Sequence, residues 1–571
     1  MSVLSRIARW LRDPLIALLL GGGYVALLLA TAHDLGYARD EGFYFDAARS
    51  YEGWFQLLAR DPRAALQPSG VDRYWQANHE HPALMKSLFA LSHSLLHEKW
   101  RWFREAGTAY RFPGMFVSGL AVSVTYLWGQ RAIGRLPGIV AALLLAFMPR
   151  VFFNSHLACF DMPVAAMWLV TTYAYWRSIT TGGVLWPIAT GILYGLLLNT
   201  KHNSWLLPGA LVLHFLVTQA PAWRRGLTAG RIAAPLALFT MATLGPLVFY
   251  AGWPWIWWNT GARIIEYVQF HTGHEYYNME FLGRTYWKPP MPRLYAWVMT
   301  AATVPGITLL LFLLGSFGSF VLPARARWQA LRRRVRGVGA SDASPITTPA
   351  RPDEWQTSVL WLVCIVLSYA PWFSEKTPIF GGTKHWITAY PFLALFAARG
   401  FALTCDRLRI AFGNCAWSRQ GVPAVVFALV ALGPAVMTLH SHPFGLSAYT
   451  PLVGGAPGAA TLGLNRTFWG YTTGSVTEFL NRHVPQGGRV YVHDTAGSSW
   501  QMLVDDGRLR ADLRSAWSIE ASDFALYHHE PHMGKVEYQI WVAYGTTRPA
   551  HVVAHDGVPV IWVYARPGLM R

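Results

Sequence analysis

The chain of 571 residues is 53% hydrophobic and 15% aromatic, and only 14% of it is charged, against roughly 25% in an ordinary soluble domain. That balance excludes a typical soluble enzyme. Lys and Arg outnumber Asp and Glu by 48 to 30, a formal net charge of +18, but the basic residues punctuate apolar runs, which argues against a nucleic-acid partner. Four cysteines without a CxxC pair offer neither a disulfide framework nor a zinc ribbon.

A helix needs about 20 mostly apolar residues to cross a bilayer, and the sequence offers about eleven such stretches. They lie near 14–32, 111–130, 136–153, 162–179, 184–200, 204–220, 232–252, 294–322, 357–373, 386–402 and 422–439. The first has no A-x-A cleavage site and reads as a retained, uncleaved insertion signal. Basic residues fall on alternate connections: Arg6, Arg9 and Arg12, then Arg131 and Arg135, Arg177, Arg224, Arg225 and Arg231, the run Arg325 to Arg336, and Arg407, Arg409 and Arg419. By the positive-inside rule these are cytoplasmic. The segments 33–110, 154–161, 253–293 and 374–385, and everything after about 440, then lie outside the cytoplasm.

The expected division is a transmembrane part, 1–440, and an extracytoplasmic part, 441–571. Within the first, 33–110 is a large outer loop and 323–356 a basic, Ser/Thr/Pro-rich cytoplasmic linker that attracts anionic lipid headgroups. From about 475 the composition becomes that of a small soluble α/β domain. A helix Val476–His483 leads through Pro485, Gly487 and Gly488 into a strand Arg489–His493, with further strands at Asp523–His528 and Val558–Tyr564. His528-His529-Glu530-Pro531-His532 has no i, i+4 register and reads as surface loop, not as a metal site. Asn465-Arg466-Thr467 fits a glycosylation sequon, a pattern often met by chance.

Three acidic positions stand at outer span ends, where polar groups are tolerated chiefly when they act. Arg39-Asp40-Glu41 precedes an amphipathic run in which Phe43, Ala47, Tyr51, Trp54 and Leu58 recur at helical spacing, a pattern expected to lie at the interface with its aromatic face toward lipid. Asn78-His79-Glu80-His81-Pro82 precedes an expected helix from Ala83 to Leu96. Asp161 opens the fourth span at a cap-like position. Singly each also fits a helix cap or a solvated loop acid. Trp253, Trp255, Trp257 and Trp258 read as an interfacial aromatic belt, with a sugar-stacking platform as the alternative.

These residues together resemble a known family. The acidic pair after the first span, Glu80-His81-Pro82-Ala83-Leu84 at the end of the first outer loop, Asp161-Met162-Pro163 after a short second loop, and Thr200-Lys201 after the fifth span resemble the GT-C membrane glycosyltransferases. The nearest likeness is to glycosyltransferase family 39 and its bacterial relatives, the protein O-mannosyltransferases and lipid A aminoarabinose transferases. It covers roughly residues 1 to 400; His81 stands where the family segment has Lys, and Ala83 where it has a second Pro.

The resemblance implies a polytopic α-helical protein of GT-C type in a membrane, by its bacterial relatives the inner membrane. It implies inverting transfer of a sugar from a polyprenyl-phosphate-linked donor to an extracytoplasmic acceptor, whether protein, lipid or glycan. By the same resemblance Asp40 is the base or acceptor-orienting group, supported by Glu41, and Lys201 and Lys384 bind the donor phosphate, unless they only snorkel. Glu80 and Asp161 are candidate positions for Mg²⁺ or Mn²⁺ beside that phosphate, and His81 or His156 would also admit zinc. A transporter or flippase of lipid-linked sugars, which should place polar residues at mid-membrane, and a non-catalytic assembly subunit are the rival classes.

Overall fold

The computed structural model describes residues 3–181, 183–220, 233–335, 352–413 and 416–570. Arg224, Arg225 and Arg231, and the linker from 336 to 351, lie outside them. Among the described residues seven helices are long and apolar enough to cross a membrane: Leu11–Asp34, Ala106–Ala132, Pro235–Gly252, Gly306–Ala324, Glu354–Phe373, Ile387–Ala411 and Trp417–Ser441. An eighth span exists if Arg135–Ala146 and Pro149–His156, bent by 67°, count as one. The chain is thus a mostly helical integral membrane protein.

These account for eight of the eleven expected stretches. The remaining three, 162–179, 184–200 and 204–220, are helical but shorter or less apolar. Asp161–Thr181 shows why: nearly all of its residues are buried among neighbouring helices, so it need not present an apolar face to lipid. Its Thr171 and Thr172 hydroxyls each donate to the carbonyl four residues back, at 2.7 Å, which satisfies them without water.

The segment 33–110 departs from expectation in one respect. The helix Arg39–Arg60 forms, but Ala47, Tyr51 and Trp54 are buried and do not face lipid. Tyr51 packs on Trp75 at 3.9 Å between ring centroids, and Trp54 meets the same indole at 5.2 Å. After it, Leu84–Ser92 is α-helical and His93–Lys99 a π-helical turn. The tryptophan run is likewise no simple belt: Trp253 and Trp255 are buried, and only Trp258 is well exposed.

The aromatic face is covered by Trp75 of the same segment and by Trp257, and the C-terminal part joins the same hydrophobic core. Its five-stranded sheet has the order β4-β3-β5-β7-β6, with β3 (Arg489–Tyr491), β4 (Arg514–Ala516) and β5 (Phe524–His528) parallel, and β7 (Val558–Ala565) antiparallel to both β5 and β6 (His551–His555). Two short strands, β1 (Met279–Phe281) and β2 (Arg284–Tyr286), pair separately. Side chains alternate along β5. Phe524 and Leu526 join one hydrophobic core with Phe45, Tyr51, Trp54 and Trp75 of the segment 33–110, while Ala525 and Tyr527 pack with Ile540 and Tyr544 of the helix Gly534–Tyr544 on the other face. Asn465-Arg466-Thr467 is folded in: Thr467 is buried, and the Asn465 carbonyl accepts from the Tyr449 hydroxyl at 2.6 Å.

Candidate active site

Asp40 and Glu41 both stand in the first turn of Arg39–Arg60, yet their side chains go to different places. Glu41 is fully buried. Arg111 donates from Nε to Oε1 and from Nη2 to Oε2, both at 2.8 Å, and the backbone N–H groups of Ala38 and Ala158 donate to the same carboxylate at 2.8 and 2.9 Å. A bidentate pair with its remaining lone pairs satisfied is the form in which an ion pair tolerates burial. It ties the start of the helix, the span Ala106–Ala132 and the turn before Asp161 to one carboxylate.

Asp40 is half open. Its Oδ2 lies 3.5 Å from Lys384 Nζ and its Oδ1 3.7 Å from Arg39 Nε. A second pair, Lys201 Nζ to Asp161 Oδ1 at 2.6 Å, is buried. Burial lowers the pKa of Lys384, while Asp40 and then Asp161 raise it, so the two pairs share one polar neighbourhood. The turn that carries Lys384 depends on glycine: Gly381 and Gly382 have φ of +74° and +63°, and a Cβ on Gly381 would collide with the lysine side chain.

Two residues missed in the sequence belong here. Tyr44, one turn after Asp40, is buried against Phe160 at 4.2 Å. Burial, and then the Asp40 charge, raise its pKa and keep the phenol a hydrogen-bond donor. Trp469 is buried with φ of +75°. Its ring lies 4.0 Å from Lys384 Nζ, and its carbonyl accepts from the Arg39 N–H at 2.7 Å. Arg39 Nη1 also donates to Asp494 Oδ1 at 2.8 Å. The C-terminal part therefore touches Lys384 directly and holds Arg39, the residue before Asp40. Spacing from Asp40 was a usable signal for Tyr44; nothing local marks Trp469.

The segment with Glu80 and His81 is held from within. Lys86 donates to the Asn78 carbonyl and, at 2.9 Å, to the His81 carbonyl, and burial pushes its pKa down to about 7. Glu80 Oε1 accepts from Asn78 Nδ2 at 2.6 Å, and its carbonyl from His271 Nε2 at 2.9 Å. His202 stacks on His271 at 3.9 Å, with His81 5.5 Å from the same ring. Burial, first among the causes, pushes all three imidazole pKa values down, His271 to about 4, and so favours the neutral rings.

As placed, Glu80, His81 and Asp161 are not a ligand set, because Asp161 is engaged by Lys201 and Glu80 by Asn78. His156 has both nitrogens engaged, by Thr31 at 2.9 Å and the Phe152 carbonyl at 2.8 Å. Among the described residues, the group that brings three ligand atoms within 4.8 Å of one another is Glu52, His93 and Glu98. The run His528 to His532 is not a surface loop: His528 and Glu530 are buried, and His532 Nδ1 lies 3.1 Å from Glu280 Oε1.

Residues 81–250 match the family model described as dolichyl-phosphate-mannose-protein mannosyltransferase. The resemblance to glycosyltransferase family 39 is shown in that stretch. No curated protein sequence matches significantly. Among solved structures, the chain is similar to ArnT from Cupriavidus metallidurans bound to undecaprenyl phosphate, with 14% identity, 99% of each chain covered and a TM-score of 0.47. It is similar also to the Archaeoglobus fulgidus oligosaccharyltransferase in its apo form, at 10% identity over 92% of this chain and 72% of that one, TM-score 0.47. The arabinosyltransferase EmbB from Mycobacterium smegmatis matches at 15% identity over 74% and 37%, TM-score 0.37. At these scores the likeness bears on no residue's role.

Proposed function

We propose that the chain is an inverting membrane glycosyltransferase that moves a sugar from a polyprenyl-phosphate-linked donor to an acceptor on the extracytoplasmic side, in a bacterial inner membrane. Membrane lipids surround the transmembrane part, 1–440, and the part from 441 to 571 covers the site from outside. The observation that carries the reading is the pairing of Asp40 with Lys384 across distant segments, with a second Asp–Lys pair, Asp161 with Lys201, beside a span-rich scaffold.

The chemistry balances with these groups. The acceptor oxygen attacks the anomeric carbon and gives its proton to the Asp40 carboxylate, while the bond from that carbon to the phosphate oxygen breaks with its electron pair. The charge left on polyprenyl phosphate is met by Lys201 and Lys384. Donor phosphate competes with Asp40 for Lys384, and the 3.5 Å separation of that pair is loose enough for the exchange to free the carboxylate as a base. Glu41 acts through the backbone it holds, and Tyr44 supplies a protonated hydroxyl beside the reacting groups. Glu80 and His81 shape the pocket wall, and a divalent ion such as Mg²⁺, Mn²⁺ or zinc would have to displace Lys201 from Asp161 to bind there.

The test is incubation of the purified protein with polyprenyl-phosphate sugars and an acceptor mixture. Free polyprenyl phosphate should accumulate with wild-type protein and not with Asp40→Asn. Movement of intact lipid-linked sugar across proteoliposomes without its cleavage would replace the reading with that of a flippase.

A further inference from the structure

We propose that Glu52, His93 and Glu98 form a binding site for one divalent transition-metal ion of the zinc class, which clips the helix Arg39–Arg60 to the π-helical turn His93–Lys99. The site lies outside the pocket that holds Asp40 and Lys384, and it does not depend on the transferase reading.

The geometry begins with the turn. Residues five apart on an α-helix point about 140° away from each other, so His93 and Glu98 would not share a face there. A π-helical turn closes its hydrogen bond at i→i+5 and brings such residues together. Here His93 Nδ1 is 4.0 Å from Glu98 Oε1 and 2.7 Å from Glu52 Oε1. Ligand atoms about 2.0–2.1 Å from a tetrahedral ion stand about 3.3 Å from one another, between the two observed separations. Closing the site needs Glu98 to swing inward, from ligand atoms that already lie within 4.8 Å of one another, and its side chain is 54% exposed and free to do so. Opening the Glu52–His93 contact replaces a shared proton with the ion.

The surroundings are those of a built site. The His93 ring is fixed by parallel stacking on Tyr110, 4.3 Å between centroids and 3° between planes, and by His97 at 5.1 Å on its own turn. Tyr110 is itself fully buried, so the ring on which His93 stacks is held in place. Glu52 is itself nearly buried, which is costly for a carboxylate whose hydrogen-bond partner among the described residues is an imidazole. An open cavity of about 500 Å³ lined by His97, Glu98, Arg101, Phe103 and Arg104 gives solvent a path to the third ligand. One nitrogen and two carboxylate oxygens suit zinc, and cobalt(II) as its spectroscopic substitute.

The experiment uses the full chain in detergent, stripped with chelator and titrated with zinc by calorimetry and with cobalt(II) by visible absorption. Wild-type protein should take up one zinc and develop cobalt d–d bands, and zinc should raise its unfolding midpoint. Glu98→Gln, on an exposed side chain, should weaken zinc at least about tenfold with the metal-free unfolding midpoint unchanged. His93→Gln should abolish the cobalt bands. Absence of zinc binding by wild type, or wild-type affinity in both variants, overturns the site; the latter result would move the ion elsewhere, as to the His81, His202 and His271 rings.

Discussion

Asp40 and Glu41 are chain neighbours with the same functional group, and the fold gives them opposite surroundings. Glu41 is sealed, with Arg111 and two backbone N–H groups filling its oxygens. Asp40 keeps a looser contact with Lys384, 3.5 Å away, and a share of solvent. A carboxylate whose lone pairs are all spent in place can only hold structure, whereas one with a weak, exchangeable partner can accept a proton. The acidic pair that reads as one motif in the sequence is thus two environments, a sealed ion pair and a partly open carboxylate.

The largest expected effect breaks the open half. Asp40→Asn keeps size and hydrogen bonding but removes the basic oxygen, so turnover should fall roughly 10²–10⁴-fold with the donor KM little changed. Steady-state kinetics on solubilised protein would show it. The sealed half should fail differently: Glu41→Gln leaves Arg111 buried without its counter-charge and should cost about 3–5 kcal/mol of stability, read as a lowered thermal midpoint.

Smaller effects sharpen the contrast between the two lysines. Lys201→Ala should raise the donor KM about tenfold or more, while Lys201→Arg, which keeps the charge, should recover most of that loss. Equal kinetics in both variants would make Lys201 an interfacial anchor only. Trp469→Leu should lower turnover about tenfold to thirtyfold, the scale of a desolvated cation–π contact. It should also move the alkaline limb of the pH profile. Burial holds the Lys384 pKa down; admitting water lets it rise, so the ammonium form, and activity with it, should persist to higher pH. An unshifted limb would separate Trp469 from Lys384.

How far the sequence shows this depends on whether a feature is local. Hydropathy is local, and it finds the helices long and apolar enough to cross a membrane. The count of eleven exceeds the seven or eight helices that pass on length and apolarity, because an enclosed helix such as Asp161–Thr181 need not be as apolar as one facing lipid. Periodicity identified the aromatic face of Arg39–Arg60 but not its partner: helical spacing reports that Tyr51 and Trp54 seek cover, and lipid or the Trp75 and Trp257 indoles would serve equally. The same holds at the site. Lys384 was visible as a basic residue at a span end, yet its meeting with Asp40 across 344 positions, and the Trp469 ring beside it, are products of tertiary packing. The family resemblance supplied roles for Asp40 and Lys201, but the division of labour between Asp40 and Glu41 follows from Arg111, seventy positions on.

The most direct test measures transfer rate per folded molecule and thermal midpoint on the same preparations of Asp40→Asn and Glu41→Gln. A crossed pattern is expected, in which Asp40→Asn melts like wild type and transfers at least about a hundredfold more slowly, while Glu41→Gln melts early and transfers, per folded molecule, within about tenfold of wild type. Near wild-type transfer by Asp40→Asn, with free polyprenyl phosphate still released, would contradict the assignment of Asp40 as the base.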